Sequence, residues 1–220
     1  MEQYYGILRK SDLFQLADDE TIKHVLYCLE GHIRIYGKGE IIYQYGDMIS
    51  NAGMVLEGKV ELIVPGTIGD DSSIKVAIPS DSFGCSHSCI TDQPSLVTVI
   101  ACKKTKILFL KMSKLFSQEA ISCRFASLVT ANLLRQTALA NLEQNRRIHI
   151  MSRRSIRDKI WTLLKYTPLK GDRCLIDMNR QEMADYLGVE RSALSRELGR
   201  MKKEGYIDYR KNVFIVNKYQ

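Results

Sequence analysis

The sequence predicts an α+β fold in three parts: an antiparallel β barrel or sandwich, one long helix, and a small helical module closed by a β-hairpin. Three observations carry this expectation. Short β-branched and aromatic runs, broken by glycine and aspartate, fill residues 31–110. No glycine or proline interrupts residues 113–167. Charge is segregated: residues 1–145 hold 14 Lys/Arg against 16 Asp/Glu, whereas residues 146–220 hold 18 against 9.

In chain order, Leu13, Leu16, Ile22, Val25, Leu26 and Leu29 recur at helical steps and predict a helix over Ser11–Leu29. After Gly31, strands are expected at Ile33–Tyr36, Ile41–Tyr45, Met54–Leu56, Lys59–Val64, Ser73–Ile78, Leu96–Ala101 and Lys106–Leu110. Gly37, Gly39, Gly46-Asp47, Gly58, Gly66, Gly69-Asp70 and Gly84 punctuate them. Residues Glu119–Arg147 read as one helix of about eight turns. Its seam is Ile121, Phe125, Leu128, Leu139 and Leu142, interrupted by Asn132 and Arg135, with Val129, Leu133 and Ala140 beside it. A dimer coiled coil and packing against the chain's own barrel are both compatible with that seam. Ser152–Tyr166 carries one apolar stripe (Ile156, Ile160, Leu163, Leu164), and a turn at Pro168, Gly171 and Asp172 leads to a strand at Cys174–Met178.

Bulk composition bounds the function. The hydrophobic share of 45% and charged share of 26% are those of an ordinary globular protein. No run approaches the ~18 apolar residues of a membrane span. Met1–Lys10 lacks a basic start followed by an apolar core, so no secretion signal and no membrane partner are expected. A cytoplasmic location follows. The six cysteines are spread without a CxxC pair and are expected as reduced thiols. The basic last third suits a module that meets a polyanion; a merely basic surface is the alternative.

Residues 178–207, MNRQEMADYLGVERSALSRELGRMKKEGYI, are the most informative stretch. Asn179 and Glu182 have capping-box spacing before a helix over Arg180–Leu187 that buries Met183, Ala184 and Leu187. Gly188 supplies a turn and Val189 plugs the corner. A second helix runs from about Arg191 to Lys203, with Leu194, Leu198 and Met201 inward and Arg191, Ser192, Ser195, Arg196 and Gly199 on the other side. That is helix-turn-helix geometry, in which the second helix enters the major groove of double-stranded DNA. Arginine forks suit guanine O6 and N7. Tyr206–Asp208, the Arg210-Lys211-Asn212 turn and Val213–Val216 read as a β-hairpin wing.

This pattern resembles the C-terminal domain of the Crp/Fnr family of bacterial transcription regulators. The front half agrees: Gly46-Asp47 before a strand, MVLEGKVEL over Met54–Leu62, and Ser82-Phe83-Gly84 after a turn. The resemblance runs from about Leu8 to Asn217, specific at the C-terminus and looser in front. It implies a cyclic-nucleotide-binding-like jelly-roll sensor at 1–118, a dimerisation helix at 119–147, and a winged helix-turn-helix at 148–220. It further implies a homodimer on a palindromic site, with RNA polymerase as a further partner it allows. By position, Arg180 and Gln181 fall on phosphates, Arg191, Ser192, Ser195 and Arg196 on bases, and Arg210 and Lys211 on the wing. The family commonly has a glutamate where Ser192 stands, so the operator should depart from its usual half-site.

The sensor departs further. Where cyclic-AMP-binding members have a glutamate after Phe-Gly, this chain has Cys85, and Gln93-Pro94-Ser95-Leu96 stands where the phosphate binders would fall. A buried phosphate there would lack a cation, so cyclic AMP is not the expected effector. A small organic effector among Phe83, Cys85, Ser86, His87, Ser95, Leu96, Thr98, Leu128 and Asn132 is expected by position, and its identity is unknown. Cys85-x-His87-x-Cys89 offers soft ligands for a metal, haem or redox role, but buried cysteine is commonly a small hydrophobe. No metal site and no cofactor are assigned. No GxSxG, phosphate-binding glycine loop or HExxH occurs, so no catalytic residues and no enzyme are expected. The face Arg191–Gly199 carries no aromatic residue, which favours duplex DNA over single-stranded RNA.

Overall fold

The structure, a computed structural model, describes residues 1–66, 72–90, 93–121 and 123–217, apart from the side chains of Glu119, Ile121 and Arg124. The turn expected at Gly69-Asp70 and the seam position of Ile121 lie outside the described residues. The chain forms two compact units, Met1–Ala138 and Leu139–Gln220.

Among the described residues, eight strands build the first unit: β1 (His32–Tyr36), β2 (Ile41–Tyr43), β3 (Ala52–Glu57), β4 (Val60–Val64), β5 (Ser72–Ala77), β6 (Ser82–Phe83), β7 (Thr98–Ala101) and β8 (Thr105–Leu110). They form two four-stranded sheets, ordered β1-β8-β3-β6 and β2-β7-β4-β5, with every pair antiparallel. This is the expected jelly roll. Alternation along β3 and β8 decides what each side chain touches. Val55, Ile107 and Phe109 point between the sheets to meet Val60, Phe83 and Val99. Met54, Leu56, Leu108 and Leu110 point the other way, into a second core under the helices. Both faces of β3 are therefore buried, which explains its unbroken apolar run. At Gly53 a Cβ would sit 2.2 Å from Phe83 Cζ, so only glycine lets the Phe83 ring lie on this strand.

The second core is roofed by α1 (Tyr5–Leu8), α2 (Asp19–Cys28), a 3-10 turn at Met112–Phe116 and the first half of the long helix. The helix expected over Ser11–Leu29 is not continuous. Asp12–Phe14 is a short 3-10 turn, Leu16 takes φ of 65° and stands 90% exposed, and the helix begins only after Asp18. The cause is local: the Asp18 carboxylate accepts from Thr21 N at 2.8 Å and fixes an N-terminus there.

The helix expected over 119–147 also differs. A short α4 (Gln118–Ile121) precedes α5 (Arg124–Met151), with Cys123 between them. No glycine or proline marks this break, so periodicity alone ran through it. Ala126, Val129 and Leu133 of α5 are buried against the first unit's core, with Phe125 and Leu128 half-buried beside them. The polar interruptions of the seam have a use. Asn132 Nδ2 donates to Leu13 O (3.1 Å) and Gln15 O (2.9 Å), and Arg135 Nη1 donates to Gln15 Oε1 (3.1 Å). They clasp the N-terminal turn. Leu134, Leu139 and Leu142 stand 69%, 58% and 56% exposed.

In the second unit α6 (Ile156–Tyr166) is capped by Ser155 Oγ, which accepts from Asp158 N at 3.0 Å. It packs through Ile160, Leu163 and Leu164 on α7 (Arg180–Leu187) and α8 (Arg191–Lys203). Strands β9 (Leu169–Lys170), β10 (Arg173–Leu175), β11 (Ile207–Arg210) and β12 (Val213–Val216) form one antiparallel sheet, ordered β11-β12-β10-β9. The strand expected over Cys174–Met178 is thus shorter and shifted, and it pairs with the wing rather than standing apart.

Candidate nucleic-acid interface and sensor pocket

The helix-turn-helix is fixed by caps and a plug. Asn179 Oδ1 accepts from Gln181 N (2.8 Å) and Glu182 N (3.0 Å), and Glu182 Oε2 accepts from Asn179 N at 2.7 Å. The capping box is complete. Gly188 ends α7 at φ 59°, a left-handed conformation that favours glycine. Leu194, Leu198 and Met201, at successive helical steps, are fully buried with Met183, Ala184 and Leu187. This locks the back of α8 into the core and fixes what its front presents.

Arg191, Ser192, Ser195 and Arg196 are all exposed. Neither arginine has an ion-pair partner among the described residues, so neither must break a bond to meet a new ligand. Gly199 lies on the same face, and an added Cβ there meets nothing within 4 Å. Ser192 Oγ donates to Glu190 Oε2 at 2.9 Å. That places a carboxylate beside the start of α8, a feature sequence reasoning missed. The serine–glutamate step of two residues was its only signal.

Arg180 and Gln181 are less free than expected. The Arg180 guanidinium lies 5.1 Å from the Tyr209 ring centroid and 5.3 Å from that of Phe214, and Nη2 donates to Lys211 O at 2.9 Å. Burial lowers its pKa. It joins the helix-turn-helix to the wing. Gln181 Nε2 donates to Asp185 Oδ1 at 2.9 Å. The wing turn carries exposed Arg210 and Lys211, the latter at φ 54°. Behind α8, Arg157 of α6 binds Glu197 Oε1 (2.6 Å) and both oxygens of Glu204 (2.7 and 3.0 Å).

The sensor residues divide. Phe83 is buried between the sheets. Cys85 and Cys89 belong to a short helix, α3 (Cys85–Cys89), and are packed against the second core, as is Leu128. Ser86 is exposed. Ser95 Oγ donates to Val97 O (2.7 Å), Thr98 Oγ1 accepts from Tyr45 N (3.1 Å), and Leu96 is 63% exposed. Asn132 is committed to backbone carbonyls, as above. These residues do not close around one cavity among those described.

A metal does not suit α3. Helical spacing puts Cys85 and Cys89 on one face and His87 on the other. Burial pushes the Cys85 thiol up and the Cys89 thiol to about 11, so both are neutral thiols that pack as small hydrophobes. No group of three His, Cys, Asp or Glu among the described residues is arranged for a metal.

Sequence reasoning also missed Gln136. Its Nε2 donates to Ser82 Oγ at 3.4 Å, while its buried Oε1 has no partner among the described residues. It lines a polar cavity of about 140 Å³ with Lys10, Lys75, Ser80, Asp81 and Ser82. Lys75 Nζ donates to Ser82 O at 3.3 Å.

Comparison with known proteins agrees with this two-unit build. Residues 33–118 match the family profile of the cyclic nucleotide-binding domain, and residues 158–220 that of the Crp-like helix-turn-helix domain. The chain is 24% identical over 175 residues to the cyclic AMP receptor protein of Thermus thermophilus, covering 79% of this chain and 78% of that one. It is 31% identical over 97 residues to the potassium channel GORK of Arabidopsis thaliana. That match spans 44% of this chain and 12% of the channel. Among solved structures, the Thermus thermophilus catabolite activator protein superposes with a TM-score of 0.51 at 22% identity, over 94% of this chain and 93% of that one. No described helix is long and apolar enough to cross a membrane.

Proposed function

From the premise that this chain is a Crp/Fnr-type transcription regulator, with that family's cyclic nucleotide-binding-like and helix-turn-helix domains, we propose that it binds a palindromic duplex site as a homodimer. Arg191, Ser192, Ser195 and Arg196 read bases, and Gln181, Arg210 and Lys211 meet phosphates. The observation that carries this is the split of α8: three side chains fully buried behind, two unpaired arginines and two serines exposed in front. Arg180 serves chiefly to hold the wing.

Dimerisation runs through α5, whose exposed Leu134, Leu139 and Leu142 are covered by the same face of a second chain. The division 1–118, 119–147 and 148–220 assigns sensor, dimer helix and DNA-binding module. The regulator acts in the cytoplasm, without catalysis, and contacts RNA polymerase as a protein partner at promoters.

The effector is a small molecule other than cyclic AMP. Cys85, Ser95 and Leu96 supply neither carboxylate nor cation for a cyclic nucleotide. The Gln136 cavity is well below the ~300 Å³ of ordinary ligand sites. Its unpaired Gln136 oxygen and Lys75 suit one polar group of an effector that reaches in towards Cys85.

The test is selection from random duplex DNA with the wild type, Arg191→Ala and Arg196→Ala, with and without a low-molecular-weight cell extract. A two-fold-symmetric site, relaxed in the variants, is expected. Failure to enrich any sequence in either condition overturns the reading.

A further inference from the structure

Away from the barrel interior, a cavity of about 420 Å³ opens between α2 and residues of the 3-10 turn at Met112–Phe116, α4 and the start of α5. Its walls are mostly apolar (Val25, Leu29, Leu115, Ala120 and Ala126), yet His24, Cys28 and Cys123 face it, with Ser117 and Lys114 at its edge, the Lys114 ammonium already paired with Glu30 at 2.6 Å. His24 Nε2 lies 3.4 Å from Cys123 Sγ. The His24 ring packs against the Phe125 ring at a tilt of 37°, with centroids 4.6 Å apart. Burial and the neighbouring Cys123 push the Cys28 thiol up, so Cys28 stays a neutral part of the wall.

We propose that this cavity is a covalent-modification site, in which Cys123 with His24 as its base captures small apolar α,β-unsaturated carbonyl compounds. A thiol within hydrogen-bonding reach of an imidazole is the arrangement that activates sulfur as a nucleophile. The volume lies in the range of ordinary small-molecule sites, and its apolar walls favour an uncharged electrophile over a peroxide or a charged disulfide. In the step, Cys123 gives its S–H proton to His24 Nε2 and the sulfur lone pair forms the C–S bond at the β-carbon. The alkene electron pair moves to the carbonyl oxygen as enolate. That enolate takes a proton back from the imidazolium and settles as the saturated adduct. No group leaves, and no oxidant or reductant is consumed. The site is separate from the Gln136 cavity and does not depend on the DNA-binding reading.

The probe is N-ethylmaleimide at substoichiometric dose and neutral pH, with the adduct placed by peptide mass mapping of the full chain. Cys102, a half-exposed thiol in the β7–β8 connection, is the internal reference. Cys123 should be labelled at least tenfold faster than Cys102. His24→Asn should bring Cys123 down to the reference rate with an unchanged melting temperature. Should that variant not fold, the saturated analogue N-ethylsuccinimide decides: in excess it should slow Cys123 several-fold and leave Cys102 unaffected. Labelling of Cys123 no faster than Cys102, a rate indifferent to His24→Asn, or no competition by the analogue each overturns the proposal.

Discussion

Replacing Arg180 by alanine separates two uses of one residue. Its position at the start of α7 suits a phosphate contact, but the structure engages the guanidinium within the second unit. It stacks over Tyr209 and Phe214 and donates to the Lys211 carbonyl at 2.9 Å. Two cation–π contacts at ~0.5 kcal/mol each and one hydrogen bond from the guanidinium, discounted by partial exposure to ~1 kcal/mol, give about 2 kcal/mol. For a domain of this size, roughly 4–8 °C accompanies each kcal/mol, so Arg180→Ala should lower the melting temperature by about 8–16 °C. Arg180→Lys keeps the charge but not the planar fork and should recover less than half of that loss. The assay is thermal unfolding followed by circular dichroism, paired with the salt dependence of DNA affinity. A melting temperature within 1 °C of wild type, together with a salt slope lowered by about one, would refute the wing-clasp role and restore the phosphate contact.

Four further outcomes follow from the geometry. Arg191→Ala and Arg196→Ala should each weaken binding to the selected site by roughly 10–100-fold and leave the melting temperature unchanged, as both are exposed and unpaired; calorimetry and anisotropy titration read the two effects. Glu190→Ala should raise affinity for random duplex by removing a carboxylate from the DNA-facing end of α8 while relaxing the selected half-site, read by competition against the pool. Leu142→Glu should turn a dimer into a monomer in sedimentation without unfolding either unit, because Leu142 is 56% exposed within one chain. Glu204 is held below its ordinary value of 4.5, first by its hydrogen bonds from Arg157. A depressed carboxyl pKa contributes stability above the unfolded-chain value and loses it as pH falls through the folded one. Urea midpoints of the wild type should therefore drop more steeply below about pH 4.5 than those of Arg157→Ala.

The parts legible in the sequence were those where one local rule dominates. Asn179, Glu182 and Gly188 cap and end α7, and the structure keeps those bounds because caps act over three or four residues. The jelly-roll strands were legible from β-branched runs and glycines, within about two residues at each end. β6 and α3 were not, because two-residue strands and five-residue helices leave no periodic trace. The break at Cys123 and the left-handed Leu16 carry no breaker residue either; Leu16 stands in solvent and its turn is set by the Asp18 cap that follows it, whose side-chain bond periodicity does not register. In the candidate sites, the α8 face could be read because its buried partners repeat at helical steps. The clasp of Arg180, the carboxylate of Glu190 and the unpaired oxygen of Gln136 depend on contacts 2 to 54 residues away, which spacing alone does not reveal.

Whether the exposed front of α8 reads duplex sequence in a two-fold complex is decided by anisotropy titration of one selected duplex and its scrambled counterpart over a series of salt concentrations. Two chains should bind per duplex, with at least ~10³-fold preference for the selected sequence at physiological salt, a preference that Arg191→Ala and Arg196→Ala together abolish. Equal affinity for both duplexes, falling with salt alike in wild type and the double variant, would show that only the charge of the last third meets DNA and that α8 reads no sequence.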